Sequence, residues 1–505
     1  MKRIFLILAV FGASLGNAAP LATGPEQRAA AHFETLRQQR PAEMLPFLRE
    51  MPKGADLHNH LSGAVYAESF VQWAASTGLC VSQSDFTLKA PPCDPAAGTV
   101  LVSNALTDEV LYGHLIDSWS MRNWEKSGQT GHDHFFDTFG KFGRASSGQT
   151  GAMLAEVLAR AARGHVSYLE LMLSADDGMA TALGRKVGWS GDFAGTLDLL
   201  KAAGIAAAAE QAKHNLRAAE LQKDALLQCA TPQADPGCGV SFRYVYQVLR
   251  ANAMGPVYAQ MVTGFTLAND PDSKVVAVNL VQPEDNLAAM QNFSMQMQML
   301  QFLRPRYPLA NLTLHAGELA PGLVPPDGLA FHIRDSILVA GAQRIGHGVD
   351  VLHETNAIEL LKLMAKRGVM VEICLTSNDA ILGIRGSDHP LKSYLHYGVP
   401  VSLSTDDEGV SRSEMSMEYL KAAKEQGLGY RQLKAMARTG LEHAFIPGLS
   451  LWRDARKFST LPACAGQQPG RKQPNQACSK FLATSDKARL QWTLEADFSA
   501  FEARY

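Results

Sequence analysis

Asn311-Leu-Thr-Leu-His315-Ala-Gly-Glu318 reads as a short apolar strand that delivers a histidine, two small residues and a carboxylate. Ala316 and Gly317 leave the backbone open to close approach by a ligand, which makes Gly317 a candidate substrate contact. His315 is a candidate metal ligand, and Glu318 a candidate acid or base beside it. Alone, a histidine and a glutamate at a strand end describe an ordinary surface. Their meaning depends on whether other strands end in the same chemistry.

They do. Ala55-Asp-Leu-His58-Asn-His60-Leu is a strand in which residues two apart point to the same side, so His58 and His60 can chelate one divalent ion. Ser62 and Gly63 then open a loop. Arg344-Ile-Gly-His347-Gly is another strand end, and its two flanking glycines predict little shielding of His347. Val399-Pro-Val-Ser-Leu-Ser-Thr-Asp406-Asp407-Glu408 ends in paired aspartates. Together with apolar runs near residues 168, 241, 275 and 369, these make eight short strands with helical segments between most of them. That is the pattern of an α/β fold of the (β/α)8 (TIM) barrel class, where active sites lie at the carboxyl ends of the strands. An open doubly wound sheet would carry a glycine-rich phosphate loop after its first strand, and there is none.

The rest of the chain fits around this barrel. With 505 residues, 46% of them hydrophobic, the chain can bury one large core or two ordinary ones. A formal net charge of -2 gives no pull toward nucleic acid or an anionic membrane, so small-molecule substrates are expected, with neither nucleic acid nor membrane as partner. Residues 1–18 read as an export leader: Lys2 and Arg3, an apolar run from Ile4 to Phe11, then Gly16-Asn17-Ala18 as the cleavage site. The apolar run is too short to span a bilayer. Export to the periplasm or the exterior is expected. Cys80 with Cys93, Cys229 with Cys238 and Cys464 with Cys478 sit in polar segments and suggest loops closed by local disulfides. Cys374 is left over as a buried small hydrophobe. Residues 19–50 read as a short N-terminal helical extension, 51–450 as the barrel with loop insertions, and 451–505 as a C-terminal loop and helix packed on it. Trp119, Trp124, His132, His134, Phe135 and Phe136 form an aromatic region that serves either as core or as the roof of a pocket for a flat ring.

Three imidazoles and one carboxylate suit a single zinc ion, with other first-row metals open. His58, His60 and His315 supply nitrogen and Asp406 oxygen. A water on such an ion is acidified toward neutral pH. Asp407 can hold that water and accept its proton, and His347 can orient or deprotonate it. A protonated Glu318 can donate to a ring nitrogen and draw electrons from the carbon under attack. The set describes hydrolytic displacement at an electron-poor carbon, such as amine loss from an aromatic heterocycle.

Met51-Pro-Lys-Gly-Ala-Asp-Leu-His58-Asn-His60-Leu, His315-Ala-Gly-Glu318, Arg344-Ile-Gly-His347-Gly, Glu372-Ile-Cys374-Leu-Thr-Ser-Asn378 and Ser404-Thr-Asp406-Asp407 resemble the adenosine deaminase family of metal-dependent hydrolases. Met51-Pro-Lys-Gly, the leader and the cysteine loop after the first strand resemble its secreted, growth-factor-related branch. The resemblance runs from about 51 to 445 in the same order. It implies one zinc ion per chain on His58, His60, His315 and Asp406. It implies Glu318 as proton donor to purine N1, with His347 and Asp407 around the attacking water. The implied substrate is adenosine or 2′-deoxyadenosine, converted to inosine or deoxyinosine and ammonia. Ser62 stands where family members often carry an acid for the ribose 5′-hydroxyl. Gln282 stands where a glycine N–H meets the purine, and its side chain is expected to crowd the pocket. Leu375 and Glu408 replace usual prolines. Two other readings are a hydrolase for a different aminopurine or related substrate, and an exported binding protein without turnover. The cytidine-type zinc deaminases are excluded, because their His-X-Glu and Pro-Cys-X-X-Cys pattern is missing.

Overall fold

The structure, a computed structural model, describes residues 24–505. The expected leader over 1–18 lies outside the described residues. Eight parallel strands run in sequence order around one sheet: β1 Gly54–His60, β2 Val166–Leu173, β3 Ser241–Leu249, β4 Val275–Val281, β5 Asn311–Ala316, β6 Arg344–His347, β7 Met370–Ile373 and β8 Val401–Leu403. An isolated parallel bridge between Asn59 and Asp406 joins the last strand end back to the first. Its hydrogen bonds run from Asp406 N to the His58 carbonyl (2.8 Å) and from His60 N to the Asp406 carbonyl (3.0 Å). The chain is a (β/α)8 barrel.

The strands form where the sequence is apolar and β-branched, because every strand is covered by helices outside and by packed side chains inside. Val275-Val-Ala-Val-Asn-Leu-Val281 is buried along nearly its whole length. The helices between strands present one apolar stripe to the barrel. In Thr150–Arg163, Leu154, Val157, Leu158 and Ala161 are buried while Arg163 faces out.

The seventh strand stops at Ile373, and a helix begins at Leu375, so Thr376, Ser377 and Asn378 sit on its first turn and not on a strand. After β8 come two helices, Met415–Glu425 and Tyr430–His443, with a break at Gly427, whose φ is +67°.

The insertion between β1 and β2 carries a small antiparallel patch of Cys80–Ser82, Leu88–Lys89 and Thr99–Leu101, stapled by Cys80–Cys93. It also carries the helix Gly131–Phe142, which reaches over the carboxyl ends of the strands. Cys229–Cys238 and Cys464–Cys478 close the other two loops, and Cys374 is free and buried. The N-terminal helices Pro25–Gln39 and Met44–Glu50 pack with the final helix Asp486–Glu502 through Phe33, Phe47, Phe501 and Tyr505. The final helix is tied to Tyr430–His443 by the Arg438–Glu495 and Lys434–Glu502 ion pairs. Among the described residues no helix is long and apolar enough to cross a membrane.

Candidate active site

At the carboxyl end of β1, alternate residues point into the barrel, which carries His58 and His60 to one side. His315 comes from the end of β5 and Asp406 from just past β8. Their ligand atoms converge. His58 Nε2 and His315 Nε2 are 3.0 Å apart, and His60 Nε2 lies 3.2 Å from His315 Nε2. Asp406 Oδ1 is 3.5 Å from His58 Nε2 and 3.4 Å from His60 Nε2.

This donor set fits a cation. The backbone and side chain of His315 both meet Asn279 Oδ1 (2.9 and 3.0 Å), which takes the proton on Nδ1. His58 gives its Nδ1 proton to Glu372 Oε2 at 2.6 Å. The Nε2 atoms of His58 and His315 are thereby left as two lone pairs facing each other, an arrangement only a positive charge between them stabilises. A four-coordinate ion with bonds of about 2.1 Å holds its ligand atoms about 3.4 Å apart, the spacing of this cluster. Electrostatics agree. Against burial, the carboxylates of Asp406 and Glu372 raise His58 to about 10, so the cluster draws positive charge to itself. Burial lowers His60 to about 4 and His315 well below the usual range, the neighbouring imidazoles adding to the latter.

The surrounding shell holds each ligand. Glu372 is fully buried, receives Arg344 Nε (2.6 Å) and Thr313 Oγ1 (2.6 Å), and against burial is held at about 2, chiefly by the Arg344 charge. Ser377 Oγ donates to Asp406 Oδ2 at 2.6 Å. Gln247 Nε2 lies 2.6 Å from His60 Nδ1; the carboxamide has no other side-chain hydrogen bond among the described residues, and ligation through His60 Nε2 requires it to turn its oxygen to this ring. Asp406 and His347 take φ of +59° and +67°, left-handed backbone that side chains other than glycine rarely adopt and that tends to collect at functional sites.

The remaining acids and bases ring the cluster. Glu318 is buried, and burial, with the Asp406 charge adding to it, raises its carboxyl to about 8. Its backbone N–H donates to Glu284 Oε2 at 2.9 Å, and Glu284 is in turn held by His332 Nδ1 at 2.6 Å. His347 Nε2 stands 3.6 Å from Glu318 Oε1. The glycines beside His347 do not expose it: the ring is 0% accessible. Gly346 leaves room for the His58 ring, since a Cβ there would lie 2.5 Å from His58 Cε1. Burial, then the charge of Asp406, raises Asp407 well above its ordinary range. A cation held by Asp406 would relieve the second of these causes.

A cavity of about 360 Å³ opens onto this cluster, lined by His60, His315, Glu318, Asp406 and Asp407 at its floor. Phe135, Phe136 and Phe139 of the helix Gly131–Phe142 form an apolar wall, so the aromatic region is a pocket wall at these rings and core at Trp119. Ser62, Gln247 and Gln282 supply polar groups. Gln282 does not crowd the space as expected. Its side-chain Oε1 accepts from Ala251 N at 3.0 Å, which turns the side chain back, while its φ is +83°. Gly317 is not a lining residue. Its N–H is engaged by Glu284 Oε1 at 3.3 Å, and a Cβ there would lie 2.5 Å from Asp350 Oδ1.

Gln247, Asn279 and Glu284 were not singled out in the sequence, and Glu372 entered only as the first residue of the motif ending at Asn378. The one visible sign was a lone amide or acid near the carboxyl end of an otherwise apolar run, as with Asn279 in β4.

Residues 206–450 match the adenosine deaminase family. An adenosine deaminase of Erwinia tasmaniensis is 36% identical over 146 residues, 29% of this chain and 41% of that protein. One from Aliivibrio fischeri is 38% identical over 136 residues, 27% of this chain and 38% of that protein. The chain thus spans about two fifths of the length of the curated relatives it matches. In fold it is similar to an adenine deaminase from Arthrobacter aurescens (TM-score 0.51, 17% identity, 78% of this chain and 94% of that one). It is also similar to an Arabidopsis N6-mAMP deaminase (TM-score 0.52, 19% identity, 80% and 96%).

Proposed function

We propose that the chain, whose residues 206–450 match the adenosine deaminase family, is a zinc-dependent deaminase of adenosine or 2′-deoxyadenosine. The products are inosine or deoxyinosine and ammonia. The observation that carries this reading is the convergence of His58, His60, His315 and Asp406 on one point, with Glu318 and Asp407 beside it on the floor of an aromatic-walled cavity.

Held by His58, His60, His315 and Asp406, zinc would supply a Lewis acid that makes a water acidic enough to attack at neutral pH. The rest falls to this chain's side chains. The phenylalanine wall holds the flat purine and excludes water. Glu318, protonated near neutral pH, donates to N1 of the ring, which makes C6 electron-poor. Asp407 takes the proton released by the attacking water and passes it on, so that the C6 amino group leaves as ammonia. Gln282 lines the cavity with its side-chain Oε1 tied to Ala251 N, and its backbone N–H would meet the purine. The lining carries three carboxylates and neither lysine nor arginine, which disfavours a phosphate group and supports a nucleoside over its 5′-monophosphate. We place the protein in an oxidising compartment, periplasmic or secreted, a reading supported by three disulfides.

The test is the loss of adenosine ultraviolet absorbance with zinc-loaded protein beside Glu318→Gln. Turnover by the native protein and a loss of at least ~100-fold in the variant are expected. Zinc-loaded protein that turns over adenine or the 5′-monophosphate, but not adenosine, would overturn the substrate assignment. Failure to bind zinc would overturn the whole reading.

A further inference from the structure

Asn378 and His389 do not line the cavity, and among the described residues no hydrogen bond joins them to the four proposed ligands, yet a directed chain of hydrogen bonds runs through them to His347. It starts at the backbone. Leu391 N is 3.1 Å from His389 Nδ1. A main-chain N–H can only donate, so Nδ1 accepts and the proton of the neutral ring sits on Nε2. His389 is buried, and burial together with the Lys421 charge lowers it to about 4, so the ring is neutral. His389 Nε2 is 3.1 Å from Asn378 Oδ1 and donates to it. That bond fixes which end of the amide faces the active site: Asn378 Nδ2 stands 3.0 Å from His347 Nδ1. An amide nitrogen has only hydrogens to offer, so His347 Nδ1 accepts. The proton of neutral His347 is thereby placed on Nε2. That atom is buried, has no hydrogen-bond partner among the described residues and lies 3.6 Å from Glu318 Oε1.

We propose that Asn378 and His389 are positioning residues that fix the tautomer of His347, so that it meets the reacting atoms as an Nε2–H donor and not as a base. The consequence rests on the deaminase reading above. An Nε2–H can hold the oxygen of the attacking water and steady the charge that grows on it, but it has no lone pair with which to take the water's proton. Nδ1 is occupied by Asn378. The proton then goes to Asp407. The same logic keeps His347 out of the ligand set, although its ring nitrogen lies within 4.8 Å of ligand atoms of His58, His315 and Asp406. In His58 and His315 the shell does the opposite: Glu372 and Asn279 accept from Nδ1 and leave Nε2 as a lone pair. His347 thus differs from His58 and His315 in that the group behind its ring donates where theirs accept.

The test reads the proton directly. Full-length protein with 15N-labelled histidine, metal-free and zinc-loaded, is examined by long-range proton–nitrogen correlation, which separates Nε2–H from Nδ1–H rings. The His347 signal is assigned by its loss in His347→Gln. The native protein is expected to show His347 as Nε2–H in both forms. Asn378→Asp keeps the shape of the side chain but turns the donor into an acceptor, and is expected to move the proton to Nδ1. With it kcat falls by ~100-fold or more, KM changes by less than about threefold, and the pH profile gains a group that must be deprotonated. His389→Gln keeps an N–H where His389 Nε2 stood and is expected to retain the native tautomer and most of kcat, whereas His389→Leu loses both. The two His389 variants decide the matter if Asn378→Asp does not fold. An Nδ1–H signal for native His347, or a native tautomer retained in both Asn378→Asp and His389→Leu, overturns the proposal. An Nε2–H signal in a protein that does not deaminate adenosine upholds the tautomer assignment and overturns the functional reading instead.

Discussion

Gly63→Ala should abolish most activity without touching a ligand, an acid or the substrate wall. Gly63 follows Ser62 in the loop after β1, and its carbonyl accepts from Val410 N at 2.9 Å. The next residue is held as well, since Ala64 N donates to the His60 carbonyl at 2.8 Å. The loop therefore cannot retreat without breaking these bonds. A Cβ on Gly63 would stand 1.5 Å from Asp407 Oδ1, 2.4 Å from Cγ and 2.7 Å from Cβ. Ordinary carbon–oxygen contact needs roughly 3.5 Å, so the carboxylate must move by about 2 Å. Overpacking of this kind costs about 1–3 kcal/mol of stability, which a barrel of this size survives. The catalytic cost is larger, because a displaced Asp407 can neither hold the attacking water nor take its proton: a loss of ~10²–10⁴ in kcat is expected. The assay is steady-state deamination by Gly63→Ala beside Ser62→Ala, with zinc content measured in both. Zinc should stay at one per chain, since the four ligands are untouched, and Ser62→Ala should keep most of its kcat. A Gly63→Ala protein with full zinc and kcat within about threefold of native, less than 1 kcal/mol of barrier, would refute the role given to Asp407.

Three further perturbations separate the supporting layers. Glu372→Gln removes the charge that holds the His58 Nδ1 proton and pairs with Arg344; zinc affinity should fall about 10–100-fold in competition with a chelating dye, and unchanged affinity would sink that role. Glu408→Ala leaves the buried Arg160 guanidinium without the carboxylate that Nε meets at 3.0 Å, and should cost about 3–5 kcal/mol in denaturant unfolding. A loss below ~1 kcal/mol, the range of an exposed pair, would show the pair to be solvated. Burial lifts Glu418 from 4.5 to about 7 despite the Thr376 N–H it accepts. Between those values the folded protein keeps a proton that the unfolded chain has released. Stability should therefore fall as pH rises through the window, by roughly 3 kcal/mol at 1.36 kcal/mol per unit, and level off above it. Glu418→Gln should lose that part of the slope; an unchanged pH dependence of unfolding would refute it.

The fold was legible because a barrel strand is written locally. Each needs only a short apolar run, and the runs at 275 and 311 are apolar whatever surrounds them. The gathering of the candidate site was legible for a related reason: His58, His60, His315, Asp406 and Glu318 sit at strand ends, and a barrel gathers all strand ends at one rim. The export reading rests on the sequence alone, since its leader lies outside the described residues. Disulfide partners were close enough in sequence to be guessed as loops. What the sequence did not carry is direction. His347 looked exposed between two glycines, but those glycines make room for His58 and Tyr394, and the ring is fully buried. Gln282 looked obstructive until Ala251, 31 residues earlier, drew its side chain away. Gly317 looked like a ligand contact, yet its N–H belongs to Glu284. Which histidines offer a lone pair and which offer a proton depends on Asn279, Glu372 and Asn378, at least 31 residues from the rings they touch. Residue types and their order set which groups reach the rim. Only the tertiary structure decides what each group is bonded to from behind, and it is that partner which makes one imidazole a ligand and another a donor.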